Sequence, residues 1–259
     1  MDVYCFQTDT VWEDPKANCD HIAAMVEEEA SVSRIEGALL IFPELSTCGF
    51  SMDLNRVGEA ADGISTQFFS RLARQHQSSV IAGLAGVDRD SERGLNEAVC
   101  FDSDGSEIAR YRKVHPFSPA GETECYLAGE APVIVEMNGW KVAPFICYDL
   151  RFPELFRLAA KDGAEIFPVI ANWPTPRVEH WTTLLKARAI ENQAYVFGVN
   201  RSGKDPNFKY PGASLIVDPK GEILAQAGAE EVCISGKAER GEIDEWRAAF
   251  PALSDMKLV

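Results

Sequence analysis

Short apolar runs alternate with amphipathic segments along the chain. Val3–Gln7 and Ala38–Phe42 are runs of strand length bounded by polar or turn-forming residues, the pattern of buried strands. Between them, Asp14-Pro15 supplies an N-cap acceptor and a first-turn proline. Ile22, Met25 and Val26 then recur at helix spacing, predicting a helix to about Ala30. Ser65–Gln75 repeats the helical pattern with Phe68, Phe69 and Leu72. Val80–Val87, Glu97–Phe101 and Glu107–Tyr111 read as strands, the last two joined through Asp104-Gly105, a hairpin signal. Further on come a helix to about Lys161, a strand Glu165–Ile170, a helix Val178–Asn192 and a strand Tyr195–Val199. Ser214–Val217 and Glu222–Gln226 flank Asp218-Pro219-Lys220-Gly221, a second hairpin. Strand–helix alternation closing on hairpins predicts an α/β fold with a mixed sheet. With no repeat, linker or low-complexity tract, residues 1–259 read as one domain.

One segment stands out chemically. In Val142–Phe156 an apolar run ends on Cys147, a polar elbow follows (Tyr148, Asp149, Leu150, Arg151), and Pro153 marks a helix start. That places a thiol at the carboxyl end of a strand, where open α/β sheets bind ligands, and beside a helix N-terminus, a setting that lowers a thiol pKa. Six other cysteines share the chain, and a free cysteine is more often a small buried hydrophobe than a nucleophile. Cys147 therefore needs partners.

The other strand ends supply them. One run ends on Glu44, another stops just before Lys113, a third ends on Asn172 and Trp173, and a fourth on Asn200 and Arg201. If the strands share a direction, these side chains converge on one edge of the sheet. A thiol needs a base, and Glu44 at a dry strand end fits that role. A carbonyl under attack needs donors where its oxygen becomes negative, for which Lys113 and the backbone N–H of Tyr148 are candidates. Taken singly, Glu44 as a loop cap, Lys113 as a solvated strand end and Asn172 as a turn residue are each the commoner reading; accidental agreement of all of them is not.

Charge and cysteine usage narrow the partners. The net charge of −15 argues against nucleic acid or an anionic membrane as a partner. No run of about 18 apolar residues predicts a membrane span, and MDVYCFQTDTVW lacks the basic-then-apolar order of a signal peptide. The odd count of seven cysteines, with no CxxC pair and no zinc-like spacing to the four histidines, predicts reduced thiols, a cytoplasmic location and no metal.

FPELSTCGF with Glu44, YRKVHPF with Lys113 and FICYDLRFPELFR with Cys147 resemble, in order and spacing, the three signature blocks of the nitrilase superfamily of carbon–nitrogen hydrolases. The resemblance runs from residue 3 to about 240. It implies an α-β-β-α sandwich, a Glu44–Lys113–Cys147 triad, no metal or organic cofactor, and a homodimer packed sandwich on sandwich. It also implies a further glutamate after the lysine block, for which Glu122 fits the spacing better than Glu124. ANWPTPRVEHW and LLKARAIENQAYVFGVNRSG are most similar to the bacterial omega-amidase branch, which hydrolyses the terminal amide of small α-keto acids such as 2-oxoglutaramate. Tyr148, Asn172, Trp173, Arg177 and Arg201 are the expected substrate contacts, one of the arginines holding a carboxylate. Phe156, Leu184 and Leu185 are apolar residues to be placed in either the core or a dimer interface. Two rivals are a Cys–His hydrolase pairing Cys147 with His115 or His180, and a non-catalytic binding protein on the same fold.

Overall fold

Val3 and Cys5 point into one apolar cluster, and Tyr4 and Phe6 into another. A strand buried on both faces belongs to an inner layer, and the rest of the chain arranges itself accordingly. The computed structural model describes residues Met1–Lys257. Leu258 and Val259, included in the expected domain, lie outside the described residues.

In chain order the elements are β1 (Asp2–Gln7), α1 (Pro15–Val32), β2 (Leu39–Ile41), α2 (Leu54–Val57), α3 (Ile64–His76), β3 (Ser79–Val87), β4 (Gly94–Phe101), β5 (Glu107–Arg112) and α4 (Glu122–Cys125). Then come β6 (Val135–Met137), β7 (Trp140–Val142), β8 (Phe145–Ile146), α5 (Pro153–Lys161), β9 (Ile166–Ala171), α6 (Val178–Asn192) and β10 (Tyr195–Asn200). The chain closes with β11 (Leu215–Val217), β12 (Ile223–Gln226), β13 (Val232–Lys237) and α7 (Arg240–Ala249).

The strands form two sheets. One has the order β13-β1-β2-β3-β4-β5 and the other β12-β11-β10-β9-β7-β6, with β8 also paired to β9. In the first sheet β1, β2 and β3 are parallel, and β4 and β5 each reverse direction, so β5 again runs with β2. In the second, β8, β9 and β10 are parallel. Helices α1 and α3 cover the outer face of the first sheet through Ile22, Val26, Phe69 and Leu72. Trp181, Leu185 and Ala189 of α6 and Leu155, Phe156 and Ala159 of α5 belong to the cluster that includes the second sheet and the space between the sheets. This is the expected α-β-β-α sandwich with mixed sheets.

Local chemistry explains the boundaries. Asp14 caps α1 by accepting from the Ala17 N–H at 3.0 Å, with Pro15 as the first helical residue. Asp218 Oδ1 accepts from the N–H groups of Lys220 and Glu222, and Gly221 takes a φ of 88°, closing the β11–β12 hairpin. The elements that escape the apolar pattern are the single-turn helices α2 and α4, the strands β6, β7 and β13, and α7. The three-residue strands β6 and β7 meet at Asn138-Gly139, both left-handed at φ 51° and 75°, a turn signal present in the sequence but flanked by too little apolar chain. Strand β13 is half exposed and owes its form to antiparallel pairing along the whole of β1.

Phe156 and Leu185 are fully buried and Leu184 packs against the core, so these residues are core rather than interface. The exposed apolar residues of that side are Leu158, Ile190 and Phe250. Among the described residues, no helix is long and apolar enough to cross a membrane.

Candidate active site

Because β2, β5, β8, β9 and β10 present their carboxyl ends to one edge, the residues that follow them meet there. The loop after β2 stays pressed on β3: Gly83 N–H donates to Pro43 O at 3.1 Å and its carbonyl accepts from Ser46 N–H at 2.8 Å. A Cβ on Gly83 would stand 2.5 Å from the Glu44 Cα and the Leu45 N, so only glycine permits the approach. Leu45 takes a left-handed φ of 47°, turning the chain immediately after Glu44. Glu44 is thus fixed by its backbone.

Lys113 lies one residue past β5, its N–H donating to Asn96 O of β4 at 2.9 Å. Its ammonium donates to Glu44 Oε1 at 2.7 Å and to Glu122 at 2.8 and 3.1 Å. Glu44 and Glu122 are fully buried and Lys113 is 1% exposed. Burial opposes the charge on Lys113, but Glu122 and then Glu44 outweigh it and raise its pKa well above the usual 10.5. The ammonium therefore stays protonated. Glu122, rather than Glu124, is the glutamate brought to the lysine.

Cys147 has a φ of 47°, a left-handed conformation costing a non-glycine residue about 1–3 kcal/mol. The surroundings hold it there. Cys147–Arg151 coil into a 3-10 turn, and Asp149 accepts from Ile146 N–H at 3.2 Å, Tyr111 Oη at 2.7 Å and His115 N–H at 2.9 Å. Arg188 of α6 donates to Leu150 O at 2.7 Å from the other side. The helix α5 begins six residues beyond the cysteine, so the expected helix-terminus effect on the thiol does not arise. Burial, and then the negative charge of Glu44, push the Cys147 thiol well above its usual value, with Lys113 only partly offsetting them. The expectation of a lowered thiol pKa is overturned: this thiol ionises only if a neighbour takes its proton.

A cleft opens over Cys147 and includes Tyr148, Arg151, Asn172, Trp173 and Arg177 in its lining, with Phe50, Phe117 and Phe208 as apolar walls. Asn172 lines it but also clamps Glu44: its backbone N–H donates to Glu44 Oε2 and its Nδ2 to Glu44 O, both at 2.8 Å. Trp173 packs under the Arg151 guanidinium, 4.8 Å from its ring centroid. Arg177 stacks on Phe117 at 5.4 Å. Among the described residues, neither arginine has a carboxylate partner; Arg151 only donates to His180 Nδ1 at 3.2 Å. Burial and the neighbouring Arg177 pull Arg151 below its ordinary pKa, as expected of a cation lacking a counter-ion.

Arg201 departs from expectation. It is fully buried, does not line the cleft, and is already engaged by Asp9 at 3.2 Å, by the carbonyls of Thr10 and Lys204, and by the Tyr210 ring at 4.5 Å. Arg151 lines the cleft in its place, beside Arg177. His115 is held by Asp149 at 3.0 Å and stacked on Phe152 at 3.7 Å, and neither it nor His180 lines the cleft.

Residues 3–248 match the model of the carbon-nitrogen hydrolase family. The chain belongs to that family. A 2-oxoglutaramate amidase of Bacillus subtilis (strain 168) is 35% identical over 258 residues, covering 98% of this chain and 97% of the relative. An omega-amidase of Escherichia coli (strain K12) is 36% identical, covering 98% and 96%. In three dimensions, a carbon-nitrogen hydrolase superfamily protein from Xanthomonas campestris, carrying an arsenic adduct in its active site, superposes with a TM-score of 0.91 at 31% identity. That match covers 100% of this chain and 98% of the other. A nitrilase superfamily member of branch 10 from Saccharomyces cerevisiae follows at a TM-score of 0.89 and 28% identity, covering 97% and 94%. The chain is thus a hydrolase of carbon–nitrogen bonds.

Asn96 was not anticipated. Its Nδ2 donates to Glu44 Oε1 and Glu122 Oε1, both at 2.8 Å. A signal existed: Asn96, Ala98 and Cys100 alternate on the inward face of β4, and a polar residue in that register needs a reason. The expected strand began at Glu97 and passed it by.

Proposed function

We propose that this hydrolase is an omega-amidase, cleaving the terminal amide of a short α-keto dicarboxylate monoamide such as 2-oxoglutaramate to the dicarboxylate and ammonia. The observation that carries the reading is one cleft with two kinds of content. At its base stands Cys147 beside the buried Glu44–Lys113–Glu122 cluster, and among the described residues the only charged side chains lining it are Arg151 and Arg177, neither of which has a carboxylate partner there. The names of the relatives at 35–36% identity point the same way.

The chemistry follows from the charges. Glu44 takes the proton of Cys147, and the thiolate attacks the amide carbon. The oxygen, becoming negative, is held by Lys113 and by the Tyr148 N–H. Glu44 returns the proton to nitrogen, ammonia leaves and a thioester remains. Water, deprotonated by Glu44 with Glu122 alongside, attacks the thioester carbon and frees the acid and the thiol. Burial keeps the resting Cys147 thiol protonated, so the attack needs a base in contact with it, and Glu44 is the carboxylate placed there. Asn172 keeps Glu44 in position, Trp173 and Tyr148 wall the cleft, and Arg151 or Arg177 pairs with the substrate carboxylate; Arg201 supports the loop instead.

We propose further that residues 1–259 act as one catalytic domain, in the cytoplasm, as a homodimer. Exposed Leu158, Ile190 and Phe250 on the α5–α6 side favour pairing there. Light scattering giving monomer mass at micromolar concentration would refute the dimer, and cell fractionation tests the location.

The deciding assay is ammonia release from 2-oxoglutaramate, glutamine and a neutral amide of similar length. A strong preference for the first supports the reading, since the half-buried Arg151 and Arg177 can pair with its carboxylate and gain no partner from the neutral amide. Equal rates would leave the triad standing and remove the omega-amidase assignment. Cys147→Ala should fold and lose turnover; activity above a trace would sink the nucleophile. Glu44→Gln should be folded, nearly inactive and slow to alkylate at Cys147.

A further inference from the structure

We propose that Asn96 is a positioning residue for the amide hydrolysis, holding Glu44 and Glu122 at fixed places on Lys113 by giving one N–H of its carboxamide to each. The proposal rests on the triad reading above.

The geometry leaves the carboxamide little freedom. Asn96 Nδ2 lies 2.8 Å from one oxygen of each glutamate, while its Oδ1 is buried with no hydrogen-bond partner among the described residues. Flipping the amide would aim that oxygen at two carboxylates, so the orphaned acceptor is the lesser cost. The side chain is thus oriented by its two donor bonds. Its backbone is tied to the same cluster, for the Asn96 carbonyl accepts the Lys113 N–H at 2.9 Å.

The electrostatics show why a neutral double donor belongs there. One ammonium faces two carboxylates, and all three groups are buried. Two carboxyl groups therefore share one cation and crowd each other across it. A second cation would neutralise the base that Cys147 needs; an apolar side chain would leave two carboxylate oxygens short of donors. A carboxamide supplies both hydrogen bonds without changing the charge. It also fixes which oxygen of Glu44 is occupied: Oε1 meets Lys113 and Asn96, and Oε2 meets Asn172. Loss of that restraint misplaces the base relative to the thiol without touching the substrate-binding wall.

The test compares wild type, Asn96→Asp and Asn96→Ala in the full chain. Three quantities are read: kcat and KM for ammonia release from 2-oxoglutaramate across mildly acid to mildly alkaline pH, the alkylation rate of Cys147, and the thermal midpoint. Both variants should lose about 10–100-fold in kcat, as expected for hydrogen bonds to charged groups, with KM little changed and slower alkylation. In Asn96→Asp, two neighbouring carboxylates favour protonation of the new carboxyl as pH falls. A protonated carboxyl has one O–H to donate, so kcat relative to wild type should recover towards acid pH. A purely structural role predicts a ratio independent of pH. Near-wild-type kcat, or a loss with no such pH trend, overturns the proposal; should Asn96→Ala fail to fold, the isosteric Asn96→Asp decides. If wild type releases no ammonia from this substrate, the substrate reading has failed. The alkylation rates then judge Asn96 alone, and rates equal to wild type reject it. If Glu44→Gln alkylates as fast as wild type, it is the triad that has failed.

Discussion

Replacing Lys113 by methionine tests the central electrostatic claim. Methionine has a similar length and no charge, so the change removes the ammonium while disturbing the packing little. In the native site that ammonium meets Glu44 at 2.7 Å and Glu122 at 2.8 Å, and none of the three is more than 1% exposed. Breaking a buried ion pair by deleting one member costs about 3–5 kcal/mol. Two pairs share this cation, but the loss does not double, because one carboxylate can take up a proton once the cation is gone. About 3–5 kcal/mol at roughly 2–4 °C per kcal/mol lowers the melting midpoint by about 6–20 °C. Turnover should fall at least 100-fold, since an oxyanion donor is worth about 2.7–4 kcal/mol. Stability and catalysis are separated by a second variant, Lys113→Met with Glu122→Gln. Neutralising one stranded carboxylate should return most of the lost melting temperature and none of the activity. Calorimetry and an ammonia assay read both. A single variant that melts within about 2 °C of wild type, or a double variant that melts lower than the single one, would refute the argument that the lysine holds two charges together.

Arg151→Leu or Arg177→Leu should lower kcat/KM for a carboxylate-bearing amide by about 10–100-fold and leave a neutral amide nearly unaffected. Arg201→Leu should instead lower the melting midpoint without changing that preference, and equal effects of all three substitutions on specificity would refute the division. Gly83→Ala should cost about 1–3 kcal/mol of stability and depress turnover, because the new Cβ lies 2.5 Å from the Glu44 Cα; an unchanged urea midpoint would show that the loop yields freely. At alkaline pH the protein should lose stability. Cys147, pushed well above its ordinary value, and Cys19 and Cys100, both pushed up to about 12, keep their protons when folded but release them near 9 when unfolded, and Lys113 behaves likewise above 10.5. The native state then binds more protons, so stability is full below pH 9 and falls as pH rises. Urea midpoints that stay flat between neutral and strongly alkaline pH would contradict it.

Local pattern determined much of this protein. Caps and first-turn prolines at Asp14-Pro15 and Pro153, turn residues at Asp104-Gly105 and Asp218–Gly221, and apolar runs of strand length mark elements whose signals lie within a few residues of chain. The signature blocks around Glu44, Lys113 and Cys147 were equally legible, because each is a short contiguous string. Tertiary structure decided whatever depends on residues far apart. β13 is a strand because β1 offers it an edge, and the sign of the shift at Cys147 comes from burial and from Glu44, 103 positions away in the chain (147 − 44). Arg151 and Arg201 look alike in the sequence. Only the fold gives Asp9, Thr10 and Tyr210 to Arg201, and to Arg151 a cleft with no carboxylate among the described residues that line it. Asn96 gained its place in the same way: a carboxamide in a strand has meaning only when two glutamates, 52 and 26 positions distant, are folded onto it. Charge, hydrogen bonding and desolvation act through distance in space, and the chain order carries that distance only where the contacts are local.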